Sequence, residues 1–238
     1  MIPRTHEPHT GHRSVSGGLA RAAVFGVSDG LVSNVSLILG FAGSGVDNTV
    51  VRLAGLAGAV AGGISMAAGE WVSVTSQNDL IERELTIERR ELKHNREHET
   101  EELAARYESH GMGAERAAAA AEEVMRHPEV ALAVHAREEL GVDPDDLPSA
   151  MWAAGLSLLC FLFGAFLPLV PWYIGGGTSA AWASLAIGVV AAGVVGGMVA
   201  RFAERSIVSG VVRQVVIVLV ACGVTYLIGE LVGVNLGG

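Results

Sequence analysis

Residues 24–40 read VFGVSDGLVSNVSLILG, an apolar stretch with a single carboxylate, Asp29, near its middle. The stretch belongs to a longer run of about 20 mostly apolar residues, which is the length that crosses a hydrocarbon core of roughly 30 Å. Four more runs of this kind follow it. The sequence therefore predicts an all-α polytopic membrane protein with five transmembrane helices, near residues 19–41, 51–74, 151–173, 180–200 and 212–233.

The composition agrees with a membrane protein. Half of the 238 residues are hydrophobic, and the mean hydropathy is +0.43, which favours the membrane class. The first apolar run begins too late and holds too many polar groups for a cleaved signal peptide, so we expect it to be retained. Cys160 and Cys222 fall inside predicted spans, which favours packing roles over a disulfide framework.

Charge is segregated from the apolar runs. The formal net charge of −9 is concentrated in one block between Asp79 and Asp146, which also holds most of the lysine and arginine. We therefore expect four parts: a polar N-terminus at 1–18, transmembrane helices 1–2 at 19–76, a charged helical domain at 77–147 and transmembrane helices 3–5 at 148–238.

Arginine in the short flanking segments predicts the orientation. Positive charge in such segments marks the cytoplasmic side, so we expect the N-terminus and the charged domain to lie in the cytoplasm. The arginines that carry this prediction flank span one and the loop between spans four and five: Arg4, Arg13, Arg21, Arg201, Arg205 and Arg213.

The charged domain reads as a three-helix module between transmembrane helices 2 and 3. Residues 76–111 contain no proline and no glycine before Gly111, so we expect one long helix that continues span two. AERAAAAAEEVMRH at 114–127 and EVALAVHAREEL at 129–140 each predict a shorter helix. At 100° per residue the long helix gathers five carboxylates within an arc of roughly 80°: Glu84, Glu88, Glu91, Glu99 and Glu102.

Two interpretations of this acidic face remain open. It could be a solvated surface with salt bridges to neighbouring arginines, or a divalent-cation site, because clustered carboxylates repel unless they are protonated or neutralised. His94, His98 and His135 would suit iron, manganese or zinc better than calcium. The E-x-x-H motif at Glu91 to His94 lacks the second copy that di-iron bundles need, so we do not expect a ferritin-type centre.

Polar groups within the spans indicate a second site. A charge at mid-span costs about 2.5 to 3.5 kcal/mol on insertion scales, so Asp29 is a functional candidate. In GGISMAAGEWVSV at 62–74, Met66 and Glu70 lie one turn apart. Two carboxylates and a thioether suit a borderline transition metal better than sodium or magnesium. Small-residue pairs also predict close helix packing and a symmetric dimer: Gly26 with Gly30, Gly58 with Gly62, and Gly193 with Gly197.

Three stretches together resemble the vacuolar iron transporter family: residues 24–40, GGISMAAGEWVSVTSQNDLIERE at 62–84 and VSGVVRQVVIVLVACGVTYLIG at 208–229. The resemblance extends over nearly the whole chain from Gly17 onward. It implies a homodimeric transporter that moves Fe²⁺, and often Mn²⁺, out of the cytosol in exchange for protons. The implied pathway lies between the first helices of the dimer and is lined by Asp29, Met66 and Glu70.

The resemblance also implies that the charged domain binds metal through glutamates, here Glu88, Glu91, Glu99, Glu102 and Glu139. Eukaryotic members can place methionine in the third helix, where this chain has His135, and we include His135 as a candidate ligand. We expect no permanently bound cofactor, only Fe²⁺, Mn²⁺ and Zn²⁺ as bound or transported ions. The expected partners are protons, the lipid bilayer and a second copy of the chain, with no nucleic acid, in a bacterial cell membrane.

Two other classes remain open. A membrane-anchored metal sensor or buffer would bind metal in the charged domain, and the spans would only hold it in place. A membrane ferroxidase would need a dinuclear centre, which a single E-x-x-H motif does not supply. The intramembrane Asp29 favours a transporter over a sensor, and we expect no enzymatic activity.

Overall fold

The structure, a computed structural model, describes residues 18–236. The predicted N-terminal segment up to residue 17, with Arg4 and Arg13, lies outside the described residues. Over the described range the chain is helical and has no strand. The helices are α1 (Gly18–Gly43), α2 (Asn48–His94), α3 (Arg96–Ser109), α4 (Ala114–Met125), α5 (Pro128–His135), α6 (Ala150–Phe166), α7 (Val170–Ile174), α8 (Gly177–Phe202) and α9 (Ile207–Leu236).

The chain divides into two compact units. One, called the membrane unit below, comprises Met1–Glu70 and Met151–Gly238, and the other, called the charged unit, comprises Trp71–Ala150. Within residues 18–236, five helical stretches are long and apolar enough to cross a membrane, which confirms the predicted number of spans. They are Ala22–Gly43, Asn48–His94, Ala150–Ile174, Gly177–Phe202 and Ile207–Gly233.

The third span is not one regular helix. Between α6 and α7 the residues Leu167–Leu169 form a 3-10 turn, because proline at 168 and again at 171 cannot donate a backbone hydrogen bond. Ser184 of α8 compensates, since its hydroxyl donates to the Pro168 carbonyl at 2.6 Å. The same hydroxyl accepts a hydrogen bond from Trp172 Nε1 at 3.0 Å. The interruption is therefore tied to the neighbouring helix, as a break at membrane depth requires.

Glycines allow α1 to pack closely against α6. A Cβ atom at Gly30 would collide with the Phe161 carbonyl, and one at Gly164 would collide with the Val27 carbonyl. A Cβ at Gly26 would lie 2.8 Å from Cys160 Cβ. The predicted close packing through Gly26 and Gly30 therefore occurs within a single chain.

Helices α8 and α9 approach each other most closely at a glycine outside the predicted pair, Gly193 with Gly197. A Cβ at Gly196 would collide with the Gly210 carbonyl, whereas Cβ atoms at Gly193 and Gly197 would meet only side chains at 3.6 and 3.3 Å. The closest approach is therefore at Gly196. The predicted pair, Gly193 with Gly197, lies beside this contact.

In the charged unit the prediction of one continuous helix over residues 76–110 is wrong, because the helix is interrupted at Asn95. Helix α2 ends at His94, Asn95 has φ −123° and ψ 34°, and α3 begins at Arg96. Asparagine is a poor residue for a helix interior because its side chain competes for backbone hydrogen bonds. The unit thus contains the end of α2 followed by α3, α4 and α5, rather than three helices.

The core of the charged unit lies between the end of α2 and α5. Leu85, Leu132 and Ala136 form a buried cluster, against which Ile81 and Leu92 pack. Helix α5 continues as a π-helical turn over Ala136–Leu140, which ends at Gly141 in the left-handed region with φ 66°. Glycine suits that position because it has no Cβ to clash. This core fixes the side of α5 that carries His135.

Candidate metal sites

Three carboxylates surround the imidazole of His135 in the charged unit. His135 Nδ1 lies 3.0 Å from Glu88 Oε1, 3.5 Å from Glu139 Oε1 and 3.7 Å from Glu99 Oε2. The His135 residue is only 1 % exposed, and Glu88 and Glu99 are buried as well. A nitrogen and several oxygens thus converge in a space largely shielded from solvent.

Separate segments of the charged unit supply these ligand atoms. Glu88 and Glu91 are three residues apart on α2, so they share a face, and Glu99 comes from the first turn of α3. His135 ends α5, and Glu139 follows one turn later in the π-helical segment. Two sets of potential ligand atoms each lie within 4.8 Å of one another: Glu88 with His135 and Glu139, and Glu88 with Glu91 and Glu99. Glu88 belongs to both sets.

The electrostatics of the cluster are unfavourable when it holds only protein groups. Burial, followed by the charge of Glu88, raises the pKa of both Glu99 and Glu139, and Glu102 adds to the effect. Burial by itself lowers the pKa of His135, but the surrounding carboxylates outweigh it and raise that pKa. The cluster therefore favours any added positive charge, whether a proton or a metal ion.

Buried polar atoms in the cluster lack hydrogen-bond partners. Among the described residues, both ring nitrogens of His135 and Oε1 of Glu88 have none, although Nδ1 and Oε1 lie 3.0 Å apart as an ion pair. Buried polar groups are nearly always paired, so such orphans point to an absent ligand. Carboxylate oxygen with imidazole nitrogen fits a divalent transition metal.

Other acidic residues of this unit behave as surface groups. Glu84 pairs with Arg83, and Glu123 Oε2 lies 2.7 Å from Arg126 Nη1. The predicted ligand Glu102 is exposed and lies outside both ligand sets, although its charge acts on Glu99 and Glu139.

The histidine of the E-x-x-H motif is also outside both ligand sets. His94 Nδ1 lies 2.7 Å from the Arg90 carbonyl of its own helix. The interpretation as a solvated, salt-bridged surface thus describes Glu84 and Glu123, but not the residues around His135.

The membrane unit contains a groove of about 320 Å³. One face of α1 and one face of α2 line it, because residues spaced by three or four lie on the same side of a helix. The groove brings Asp29 and Met66 together. Its wall includes Asp29, Ser33, Asn34, Gly58, Gly62 and Met66.

Glu70 is not brought into the groove wall. It lies one turn beyond Met66 on α2, outside the set of lining residues, and is partly buried. The wall therefore contains two of the three residues predicted for the pathway.

Asn34 is a further polar residue of the groove wall and was not among the predicted site residues. Its side chain is 2 % exposed, and its Nδ2 donates to the Ala165 carbonyl at 2.6 Å. By contrast, the Ser33 hydroxyl donates to the Asp29 carbonyl at 2.6 Å and so serves its own helix. The available signal was the position of Asn34 five residues after Asp29, in a segment where a polar amide is costly.

Comparisons with known proteins identify the family of the chain. The family model described as "VIT family" matches residues 20–230. Vacuolar iron transporter 2 of Oryza sativa subsp. japonica is 30% identical over 166 residues, 70% of this chain and 68% of that protein. Vacuolar iron transporter 1 of the same organism is 27% identical over 223 residues, 93% of this chain and 88% of that protein.

A further relative is more similar over a shorter part of its own length. The vacuolar iron transporter of Acanthamoeba castellanii is 38% identical over 162 residues, 67% of this chain and 58% of that protein. The family match extends over both the groove residues and the cluster around His135. The resemblance seen in the sequence is confirmed, and the chain, a multi-pass membrane protein, belongs to the VIT family.

Proposed function

We propose that this protein transports divalent transition-metal ions, Fe²⁺ foremost and Mn²⁺ as well, out of the cytosol. The observation that carries the proposal is the groove of the membrane unit, where Asp29 and Met66 share one wall. A carboxylate at membrane depth is costly and marks an ion path, and a neighbouring thioether favours a transition metal. Its curated relatives, which are named vacuolar iron transporters, support the same cargo.

The charged unit collects cytosolic metal in this proposal. Its buried carboxylates and the imidazole of His135 offer oxygen and nitrogen ligands, which suit Fe²⁺, Mn²⁺ and Zn²⁺ better than Ca²⁺. The arginines beside the loop between α8 and α9 support a cytoplasmic position for this loop and hence for the charged unit. A bacterial cell membrane remains the expected location.

Proton exchange is the proposed driving force. A carboxylate binds either a metal ion or a proton, since ligands must be deprotonated to coordinate metal. Asp29 and Glu70 would release protons inward as metal enters and take protons from the other side as metal leaves. The inward proton gradient then drives metal outward, with no chemical transformation of the ion and hence no enzymatic activity.

A homodimer is part of the proposal because Asp29 is exposed in the single chain. A carboxylate facing lipid would be unfavourable. A second copy placed over the groove would cover Asp29 and contribute its own Asp29 and Met66 to the same path. The site would then be complete only between two copies.

A membrane-anchored sensor or buffer is the second candidate. It is favoured by the compact cluster around His135, whose ligand atoms all belong to the charged unit. On this alternative, replacing Asp29 would leave every metal-dependent property unchanged. Replacing Glu88 would abolish those properties.

Flux into proteoliposomes distinguishes the two candidates. Vesicles loaded with a metal-sensitive dye are exposed to Fe²⁺ under anaerobic conditions or to Mn²⁺, with and without a pH gradient. The wild type should admit both ions, faster with the gradient, and Asp29→Ala should abolish entry. Glu230→Gln, which changes an exposed carboxylate of α9, is the matched control and should transport normally. Wild-type protein that binds metal but shows no flux would contradict transport.

A further inference from the structure

The amide of Asn34 is oriented by a contact on only one of its two ends. Its Nδ2 donates to the Ala165 carbonyl at 2.6 Å, which ties the nitrogen to the end of α6. Its Oδ1 is buried and has no hydrogen-bond partner among the described residues. Since the nitrogen is held by a carbonyl, which only accepts, the free end of the amide must be the oxygen.

The free oxygen lies against α2 at Gly58, a position that carries no side chain. A Cβ atom at Gly58 would lie 3.2 Å from Asn34 Oδ1, and both residues line the groove together with Asp29 and Met66. The same Cβ would lie 2.9 Å from Leu37 Cδ2, so glycine at position 58 admits the amide at the groove wall but leaves no open space there. A partner for Oδ1 would have to come from the groove.

A buried acceptor without a partner destabilises the folded protein, and an apolar side chain at position 34 would avoid that cost. The hydroxyl of Ser36, which is also buried, is paired with the Val32 carbonyl of its own helix at 2.6 Å. No described residue donates a hydrogen bond to the Asn34 oxygen. The hydrogen bond to Ala165 explains the nitrogen of the amide, and a cation in the groove would explain its oxygen.

We propose that Asn34 Oδ1 is a neutral oxygen ligand for the ion that Asp29 and Met66 hold in the groove. This inference rests on the proposed function and adds a determinant of metal specificity. Amide and carboxylate oxygens suit Mn²⁺, whereas a thioether suits softer ions and Zn²⁺. Asn34 thus shifts the preference of the groove toward Mn²⁺ and away from Zn²⁺, without adding a charge that would hold the ion too tightly for release.

The test compares Mn²⁺ and Zn²⁺ flux in proteoliposomes for the full-length wild type, Asn34→Ala and Asn34→Asp. Asn34→Ala should raise the half-saturating Mn²⁺ concentration about tenfold, because even an outer-shell partner of a metal is worth 10- to 100-fold. The half-saturating Zn²⁺ concentration should rise less, so the ratio of the Mn²⁺ to the Zn²⁺ half-saturating concentration should increase. Asn34→Asp keeps an oxygen at this place and should retain Mn²⁺ affinity.

Ser157→Ala is the matched control. The Ser157 hydroxyl is also buried and without a hydrogen-bond partner among the described residues, but it does not line the groove. This variant should leave both half-saturating concentrations unchanged. Melting temperatures in detergent show whether each variant is folded.

Two results would overturn the assignment of Asn34. One is an unchanged Mn²⁺ to Zn²⁺ ratio in folded Asn34→Ala, and the other is an equal fall in maximal rate for both ions, which would indicate a packing role. In either case Asp29→Ala still abolishes flux, so the proposed function stands. A wild type that moves neither ion would instead refute the proposed function itself.

Discussion

The cluster of the charged unit places three carboxylates around His135, whereas the described lining of the groove offers one carboxylate, Asp29, beside the thioether of Met66. Several carboxylates raise affinity for a divalent cation and repel one another without it. A single carboxylate with neutral ligands holds an ion more weakly and releases it more readily. The difference suggests that the cluster captures metal and that the groove conducts it, since conduction requires binding weak enough to let the ion leave.

The largest effect on metal affinity is expected for Glu88→Gln. Glu88 belongs to both ligand sets, so its loss should weaken high-affinity Mn²⁺ binding about 100-fold, as even an outer-shell loss costs 10- to 100-fold. Isothermal titration of the full-length protein in detergent measures this affinity. Glu84→Gln, which alters a partly exposed carboxylate paired with Arg83, should bind like the wild type, and equal losses in both variants would refute the cluster.

A smaller, ion-specific effect is expected for His135→Leu. Removing a buried nitrogen ligand should reduce Zn²⁺ affinity about tenfold and Ca²⁺ affinity little, because imidazole suits transition metals. Competition titrations with the two ions on the same preparation measure this selectivity. If Zn²⁺ and Ca²⁺ affinities fell equally, His135 would be a structural residue and not a ligand.

The pH dependence of stability should be opposite for the metal-free and metal-bound protein. Folding raises the pKa of Glu99, Glu139 and His135, so the folded state binds these protons more tightly than the unfolded state. Their contribution to stability is therefore present at low pH and is lost as pH rises through the raised values. Metal needs the deprotonated groups, so the increase in Tm with Mn²⁺ should shrink as pH falls.

Thermal unfolding of the full-length protein between about pH 8 and pH 5, with and without Mn²⁺, measures both trends. The variant Glu88→Gln is the control, because its loss should reduce the increase in Tm with Mn²⁺ at every pH. An increase in Tm with Mn²⁺ that does not vary with pH would contradict coordination by Glu99, Glu139 and His135.

The smallest effect is expected for Glu102→Gln. Glu102 is exposed and lies outside both ligand sets, so it acts only through its charge. Exposed charge interactions are worth about 0.2 to 1 kcal/mol, or a change of a few-fold at most. Titration at low and high salt checks this, since the effect of Glu102→Gln should disappear when charges are screened. A loss of Mn²⁺ affinity as large as that of Glu88→Gln would make Glu102 a direct ligand.

Hydropathy predicted the five spans because the length of an apolar run is a local property of the sequence. The spacing of Glu88 and Glu91 predicted a shared face for the same reason. The break at Asn95, the π-helical turn that carries Glu139 and the orientation of the Asn34 amide could not be predicted. The Asn34 amide is oriented by a hydrogen bond to Ala165, which is distant in sequence, whereas a single asparagine such as Asn95 weakens a helix without necessarily ending it. The position of Glu70 outside the groove wall likewise depends on how α1 and α2 pack.

The most direct test of separate capture and conduction is the maximal Mn²⁺ flux at saturating metal, measured in proteoliposomes for the wild type, Glu88→Gln and Asp29→Ala. Saturation compensates for weakened capture, so Glu88→Gln should approach the wild-type rate. No concentration of metal compensates for a lost conduction site, so Asp29→Ala should remain without flux. Loss of flux in Glu88→Gln at saturation, or normal flux in Asp29→Ala, would contradict the division of roles between the cluster and the groove.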